Sequence, residues 1–301
     1  MTASIAVAGA TGNVGGRIVK ALRGRGAEVR ALVRPDTPPE KLERLEEEGA
    51  EIVAVDLGDR PNLERALSGT SSVVSALQGV RDVIVDAQTS LLDAAVSAGV
   101  PRFIPSDYAI DFTRMPGANR NFDFRLEFDH RLDAAPVQAT SIFNGGLMDF
   151  LLWGTPLLDI KAHSVSHWGS PDQLMQFTTT DDTAAFTAAA ALDEQAPRYL
   201  HVAGDLVSPP QLAAVAESVT GETFTVVSLG TVEELQAEIE RQRAEDPTPE
   251  SSPFPVWVQL QYSLSIVNGL AVLEPLDNDR YPDIQLTGVR DLLSFALSQR
   301  P

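Results

Sequence analysis

Short apolar runs alternate with helical apolar patterns over the first half of the chain. A short continuous apolar run predicts a buried strand, whereas apolar residues that recur every three or four positions predict a helix with one buried face. The predicted strands are 5–8, 28–33, 51–55, 71–77, 102–108 (the fifth strand together with its exit) and 138–143, and the helices between them include 40–48, 62–67, 82–99 and 122–135. Strands that alternate with helices form a parallel sheet with right-handed crossovers. The pattern therefore predicts an α/β fold with a Rossmann-type doubly wound parallel sheet.

The pattern changes near residue 151, where regular alternation gives way to short segments and irregular loops. A chain of 301 residues can form one sizeable core together with a smaller lobe. We therefore expect a dinucleotide-binding domain over 1–150 and a smaller mixed α/β C-terminal lobe over 151–301 that binds the substrate. Some sheet segments of the second lobe are expected to return to the first domain.

Three glycines follow the first predicted strand with the spacing G-x-x-G-x-x-G, at Gly9, Gly12 and Gly15. In a strand–turn–helix context, the first glycine permits a sharp turn and the second lets a pyrophosphate approach the backbone. The third lets the helix pack close to the strand. The free N–H groups and the dipole at the helix start favour phosphate. The less favoured alternative is an ordinary strand-to-helix turn, which also uses glycine.

The residue after the second strand distinguishes the two nicotinamide dinucleotides. Arg34 occupies this position, and Lys41 follows on the next segment. A guanidinium matches a 2′-phosphate, whereas an acidic residue would hydrogen-bond a ribose 2′-hydroxyl. NADP(H) is therefore favoured over NAD(H). The alternative is that Arg34 is a solvated charge, partly opposed by the charge of Asp36.

Ligands of open α/β sheets bind at the carboxyl ends of the strands. Asp56 and Leu57 follow the third strand and are candidates for the adenine edge. The end of the fourth strand should lie beside the pyrophosphate and the nicotinamide ribose, and Ser106 leaves the fifth strand at the same rim. The candidates at the end of the fourth strand are Ala76, Leu77 and Gln78.

Composition narrows the remaining function classes. The chain has no cysteine, which excludes disulfides, thiolate nucleophiles and cysteine-based metal centres. Its net charge of −19 disfavours binding to nucleic acid or acidic membranes. No apolar run is long enough to span a bilayer, and the first strand begins too early for a signal peptide. We expect a cytoplasmic protein with a small-molecule substrate and no metal, and a homodimer is one of the open alternatives for its oligomeric state.

Several stretches resemble the atypical short-chain dehydrogenases, and most closely the NmrA-like and isoflavone-reductase-like group. They are the glycine turn 9–15, the end of the second strand at 32–34, and segments 102–108, 177–182 and 200–205. The resemblance implies NADP(H) binding, with Arg34 and Lys41 on the 2′-phosphate. It also implies a C-terminal lobe that covers the nicotinamide. The turn residues that it implies for the cofactor are Gly9, Thr11, Gly12, Asn13 and Val14.

The sequence departs from the family's pattern at the catalytic position. Reductases of the isoflavone branch carry a lysine early on the helix after the fifth strand, and Arg125 occupies that position here. An arginine can polarise a carbonyl but remains protonated, so it is a poor proton donor. Arg125 could instead form a helix-surface ion pair with Asp129. The Tyr–Lys pair of ordinary short-chain dehydrogenases is also missing, because Phe112 lies four residues after Tyr108.

Two functions fit these residues. The first is an NADPH-dependent oxidoreductase that transfers a hydride to an activated C=C, C=N or C=O group, with Arg125, Tyr108 and Asn144 as candidate polarising groups. The second is a non-catalytic NADP(H)-binding redox sensor or regulatory protein, which the missing lysine favours.

Overall fold

The computed structural model of the chain describes residues 3–153, 155–246 and 252–298. These residues separate into two compact units, each assembled from three stretches of chain. The first unit runs from the start of the described chain to Tyr108 and adds Asp123–Ile142 and Thr183–Leu200. The second unit consists of Ala109–Phe122, Phe143–Asp182 and the described residues from His201 onward.

A six-stranded parallel sheet forms the centre of the first unit. Its strands have the order β3-β2-β1-β4-β5-β6, in which the chain reverses direction across the sheet between β1 and β4. This order is that of a doubly wound dinucleotide-binding fold, so the predicted fold class is confirmed. The strands are β1 Ser4–Ala8, β2 Glu28–Val33, β3 Glu51–Ala54, β4 Ser72–Ser75, β5 Arg102–Ile104 and β6 Gln138–Ala139.

The helices of the first unit follow the predicted alternation. They are α1 Asn13–Gly24, α2 Pro39–Glu47, α3 Arg60–Leu67, α4 Gln88–Ser97, most of α5 Arg120–Ala134 and most of α6 Thr180–Leu192. A π-helical segment, Asp82–Ala87, leads directly into α4. Fully buried side chains such as Leu63, Phe103 and Phe128 form the core on one side of the sheet.

The fifth and sixth predicted strands are shorter than expected. Strand β5 ends at Ile104, because Pro105 has no N–H to continue the ladder. The predicted strand 138–143 divides into β6 and a separate strand, β7 Ser141–Phe143. The residues 105–108 are therefore an irregular segment rather than the end of a strand, which lets their polar groups bond to other elements.

The second unit contains two small three-stranded sheets, with the orders β14-β10-β9 and β13-β11-β8. Capping boxes at Ser208 and Thr231 begin α7 and α8. Strand β14 has no strong apolar alternation, and the sequence did not predict it. The elements are β8 Gly146–Leu147, β9 Leu158–Asp159, β10 Ser164–Trp168, β11 Met175–Thr178, β13 Asp205–Val207, β14 Thr225–Gly230, α7 Pro209–Thr220, α8 Val232–Glu245, α9 Val256–Val267 and α10 Val289–Ser298. Strand β12 Tyr199–His201 lies mostly in the first unit.

The described ranges contain neither a membrane-spanning helix nor a cluster of metal ligands. No helix there is both long enough and apolar enough to cross a membrane. The same residues do not bring three or more His, Asp or Glu side chains together as metal ligands.

Candidate cofactor and active site

The glycine turn between β1 and α1 has no room for side chains at two of its three glycines. Gly9 has a φ of 76°, and a Cβ atom there would lie 2.4 Å from the carbonyl oxygen of Ala76. A Cβ atom on Gly15 would lie 2.2 Å from the carbonyl oxygen of Gly9. Both distances are far below van der Waals contact, so these positions require glycine. The roles predicted for Gly9 and Gly15 follow from this packing.

The turn leaves its backbone accessible where α1 begins. The N–H of Gly12 donates to the carbonyl of Gly9 at 2.9 Å, which closes the turn. Gly12 is the N-cap residue of α1, and its lack of a side chain leaves the first amides of the helix without a side-chain cap. Thr11, Gly12 and Asn13 are exposed, and Val14 is half-buried. Free amides and the positive end of the helix dipole can hold a diphosphate here.

The basic residues predicted to read a 2′-phosphate are exposed in the same unit. The Arg34 side chain follows β2 and is 82% exposed, with its Nε atom 3.7 Å from an Asp36 carboxylate oxygen. Lys41 is exposed in the first turn of α2. At 3.7 Å the Asp36 contact is too long for a good hydrogen bond, so the guanidinium donors of Arg34 remain accessible to an anion.

The adenine-edge candidates lie after β3. Asp56 is exposed, and one of its carboxylate oxygens accepts a hydrogen bond of 2.8 Å from the N–H of Gly58. Leu57 is half-buried and packs against the core of the first unit. After β4, Ala76 and Leu77 are half-buried and Gln78 is exposed.

Ser106 is buried after β5, and each of its polar groups has a partner. Its hydroxyl donates to the Leu77 carbonyl at 2.7 Å, and its N–H donates to Oε1 of Gln88 at 3.0 Å. Its carbonyl accepts from Nε of Arg125 at 3.0 Å. Ser106 thus connects the end of β4, the start of α4 and the candidate catalytic arginine on α5.

Asp107, the next residue, enters a buried polar network. Ser141 donates its hydroxyl proton to Asp107 Oδ2 at 2.6 Å and accepts a hydrogen bond of 2.6 Å from Nη1 of Arg198. Arg198 also lies 3.1 Å from an Asp129 oxygen and donates to Asp133 at 2.7 Å. Asp129 is 3% exposed, so the surface position expected for an Arg125–Asp129 ion pair is wrong.

The two buried carboxyls of this network titrate abnormally. Burial raises the pKa of Asp107, although the Ser141 hydrogen bond and the charges of Arg125 and Arg198 oppose the rise. Burial also raises the pKa of Asp129 to about 9, with a further rise from Asp107 and an opposing effect from Arg198. Two carboxyls that interact this strongly titrate as a pair and retain a proton at neutral pH.

The Tyr108 hydroxyl is buried within the first unit. Burial raises its pKa, the neighbouring Thr187 opposes that rise, and the hydroxyl has no hydrogen-bond partner among the described residues. A phenol with a raised pKa keeps its proton at neutral pH and can donate a hydrogen bond, but it transfers the proton reluctantly.

Asn144, the third catalytic candidate, belongs to the second unit and is fully buried. Its N–H donates to the Ala109 carbonyl at 2.8 Å, and its carbonyl accepts from the Thr178 hydroxyl at 2.8 Å. Neither polar atom of its side-chain amide has a hydrogen-bond partner within the described part of the chain. A buried amide in that state favours a ligand or water that supplies the missing bonds.

Comparison with known proteins identifies the family. Residues 1–286 match the model of the NmrA-like family.

The chain belongs to the NmrA-like family. This membership confirms the family resemblance of the glycine turn and of the segments that follow it.

Three known proteins are similar to this NmrA-like chain over nearly its whole length. Pinoresinol reductase 1 from Arabidopsis thaliana is 27% identical over 320 residues, which cover 97% of this chain and 96% of that protein. Leucoanthocyanidin reductase from Vitis vinifera, solved with NADPH, has a TM-score of 0.82 at 20% identity and covers 98% of this chain and 100% of its own. An NADPH-dependent quinone oxidoreductase from Escherichia coli, also solved with NADPH, has a TM-score of 0.78 at 20% identity, with coverages of 97% and 99%. At these identities the two structures establish the shared fold.

Four residues of the site region were absent from the sequence-based set of candidates: Gln88, Asp129, Ser141 and Arg198. Gln88 is a polar residue within an apolar stretch of a predicted helix, which is a usable signal because an unpaired buried amide is costly. The other three come from separate segments and have no local motif. Only the fold brings them to Asp107.

Proposed function

We propose that this chain is an NADPH-dependent oxidoreductase that transfers a hydride to a small acceptor with an activated C=C, C=N or C=O group. The carrying observation is the glycine turn, in which a side chain on Gly9 or Gly15 would collide with backbone atoms. This packing fixes the tight turn, and the exposed Gly12 at the start of α1 leaves room for a dinucleotide diphosphate to approach the backbone. The exposed guanidinium of Arg34 fits the 2′-phosphate that distinguishes NADPH from NADH.

NADPH, when bound, supplies the hydride, and the protein contributes position and charge. Gly9, Thr11, Gly12, Asn13 and Val14 would hold the diphosphate, and Arg34 with Lys41 the 2′-phosphate. The adenine would contact Asp56 and Leu57. The nicotinamide half would contact the rim formed by Ala76, Leu77, Gln78 and Ser106.

Arg125 is the proposed polarising group for the acceptor. Its permanent positive charge stabilises negative charge that develops on an acceptor oxygen or nitrogen during hydride transfer. Its Nε bond to Ser106 fixes one edge of the guanidinium. Tyr108 and Asn144 are the proposed hydrogen-bonding groups, and the final proton would come from solvent because neither Arg125 nor Tyr108 is a ready acid.

A dinucleotide sensor is the second candidate, supported by the arginine at the family's lysine position. The comparisons favour the reductase, because pinoresinol reductase 1 and the oxidoreductase BOA1 of Botryotinia fuckeliana are both named for redox activity. In this proposal residues 1–150 bind the cofactor, and residues 151–301 provide the substrate lobe. The homodimer is a further proposal, and a measurement of the oligomeric state tests it.

The direct test is NADPH oxidation by the purified protein with electron-poor alkenes, imines, aldehydes and quinones. We expect turnover with at least one acceptor class. Arg125→Ala should lower kcat about 100-fold, as loss of a transition-state donor does, while NADPH affinity changes little. Arg131→Ala is the matched control, because Arg131 is exposed on the same helix and pairs with Glu127 at 3.0 Å.

Two results would change the assignment. A broad acceptor screen without turnover, combined with tight NADPH binding, would support the sensor. An equal fall in turnover and NADPH affinity in Arg125→Ala would remove Arg125 from the catalytic residues.

A further inference from the structure

Gln88 occupies an unusual place at the start of α4. It is fully buried and follows directly after the π-helical segment Asp82–Ala87. A π-helical turn pairs each N–H with the carbonyl five residues back, and such segments are frequent at functional sites. Both ends of the Gln88 amide are used. Nε2 donates to the Ile84 carbonyl at 3.0 Å, and Oε1 accepts from the Ser106 N–H at 3.0 Å.

The Nε2 bond determines which way the amide points. A glutamine amide carries a donor and an acceptor on opposite sides. Because the Ile84 carbonyl takes the donor, the acceptor must face Ser106. The Ile84 carbonyl of the π-helical segment thus holds the Gln88 amide. Gln88 in turn hydrogen-bonds the irregular segment after β5.

Ser106 transmits this bond in two directions. Its hydroxyl donates to Leu77 at the cofactor rim, and its carbonyl accepts from Arg125. Displacement of Ser106 would therefore move the rim beside the nicotinamide and loosen the guanidinium proposed to polarise the acceptor. Within the described residues, the two hydrogen bonds of the Gln88 amide go to Ile84 and Ser106 and not to the glycine turn that would hold the diphosphate.

We propose that Gln88 is a positioning residue for hydride transfer, acting through Ser106 on Leu77 and Arg125. This inference rests on the proposed function. It assigns a role to a fully buried side chain whose amide bonds backbone groups of Ile84 and Ser106.

The test uses three variants of the full-length protein. Gln88→Leu removes both hydrogen bonds at similar volume and should lower kcat about tenfold, because small misplacements of reacting groups cost about this much or more. The Kd for NADPH should change by less than about threefold, which is well under 1.4 kcal/mol. Thr89→Val is the matched control. It removes a hydrogen bond of 2.6 Å to the Val85 carbonyl in the π-helical segment and one of 3.0 Å from Nη1 of Arg131, and it should leave kcat unchanged.

Gln88→Glu provides a pH readout that a merely structural role would not produce. A protonated glutamate reproduces the amide, with O–H toward Ile84 and C=O toward Ser106, whereas the ionised form cannot donate to Ile84. A buried carboxyl has a raised pKa. We therefore expect near-wild-type kcat at acidic pH and a decline as pH rises through the glutamate pKa, a limb absent from the wild type.

Amide hydrogen exchange at Ser106 tests the anchoring without turnover. Exchange should accelerate in Gln88→Leu and stay slow in Thr89→Val. Unchanged exchange at Ser106 in Gln88→Leu would overturn the assignment. If the wild type reduces an acceptor, an unchanged kcat in Gln88→Leu would overturn it as well. A wild type that reduces no acceptor would instead defeat the proposed function, and the exchange result would still decide whether Gln88 anchors Ser106.

Discussion

Two regions at the same edge of the parallel sheet are built in opposite ways. The glycine turn after β1 consists of consecutive residues, exposes its backbone and requires empty space at Gly9 and Gly15. The segment 105–108 after β5 is mostly buried, and the side chains of Gln88 and Ser141, from distant parts of the chain, hold it, with Arg198 in turn bonded to Ser141. A region defined by consecutive residues can be recognised by spacing. A region defined by distant contacts cannot, although both contribute to one candidate site.

The largest expected effect separates the glycines by the space around them. Gly15→Ala places a Cβ 2.2 Å from backbone, Gly12→Ala places one at 3.2 Å, and Gly24→Ala meets nothing within 4 Å. NADPH affinity should fall at least about 100-fold for Gly15→Ala, or about 2.7 kcal/mol, and less for Gly12→Ala. Gly24→Ala should keep wild-type affinity and gain up to about 1 kcal/mol in stability as a helix residue.

Fluorescence titration with NADPH measures the series, and circular dichroism checks that each variant is folded. A folded Gly15→Ala protein that binds NADPH like the wild type would show that the turn does not hold the diphosphate.

The same contrast explains what the sequence could and could not predict. The strands 5–8 and 28–33 were located within a residue, because apolar runs between turn residues depend only on neighbours along the chain. One alternative from the sequence was a helix-surface ion pair between Arg125 and Asp129, yet Asp129 is buried beside Arg198. Residue spacing on one helix gives no information about the element that packs against it. The interruption of the predicted strand 138–143 has the same origin, since β7 begins where Ser141 turns toward Asp107.

Ser141→Ala tests whether the buried network stabilises the fold. The substitution would leave Asp107 Oδ2 without its donor and Arg198 Nη1 without its acceptor. We expect a loss of about 2–3 kcal/mol in the free energy of unfolding, since buried charged groups are left unsatisfied.

Denaturant titration measures this loss, and Ser72→Ala on β4 is the matched control. Ser72 is equally buried, and its hydroxyl has no hydrogen-bond partner within the described ranges. Ser72→Ala should change stability by no more than about 0.5 kcal/mol. Similar losses in the two variants would mean that removing any buried hydroxyl lowers the free energy of unfolding by this amount. The Asp107 network would then have no special role.

Arg34→Ala returns to the exposed region, where a smaller effect is expected. The side chain is 82% exposed, so its phosphate contact competes with water. We expect NADPH affinity to fall about tenfold, near 1.4 kcal/mol, and NADH affinity to stay nearly constant. Arg44→Ala is the control, because Arg44 is exposed on the same helix as Lys41, one turn further along. Equal losses for both dinucleotides would contradict the 2′-phosphate assignment.

Asp129→Asn gives the smallest and most specific effect, a change in how stability depends on pH. The pKa of Asp129 rises from an ordinary 3.8 to about 9 in the folded protein, chiefly through burial. Between these values the unfolded chain has lost the proton that the folded protein retains. Unfolding therefore releases a proton, and stability falls as pH rises across this range.

Asparagine cannot ionise and keeps the shape of the neutral carboxyl, so the variant should lose stability less steeply between about pH 5 and pH 8. Thermal unfolding of the ligand-free protein at several pH values measures the two slopes. With each pH unit, the Tm difference should shift in favour of the variant by a few degrees at most, or up to about 1.4 kcal/mol. Asp133→Asn is the comparison, since Asp133 is exposed and bonds the same Arg198. Parallel curves for wild type and Asp129→Asn would mean that the retained proton resides on Asp107, in which case Asp107→Asn should flatten the slope instead.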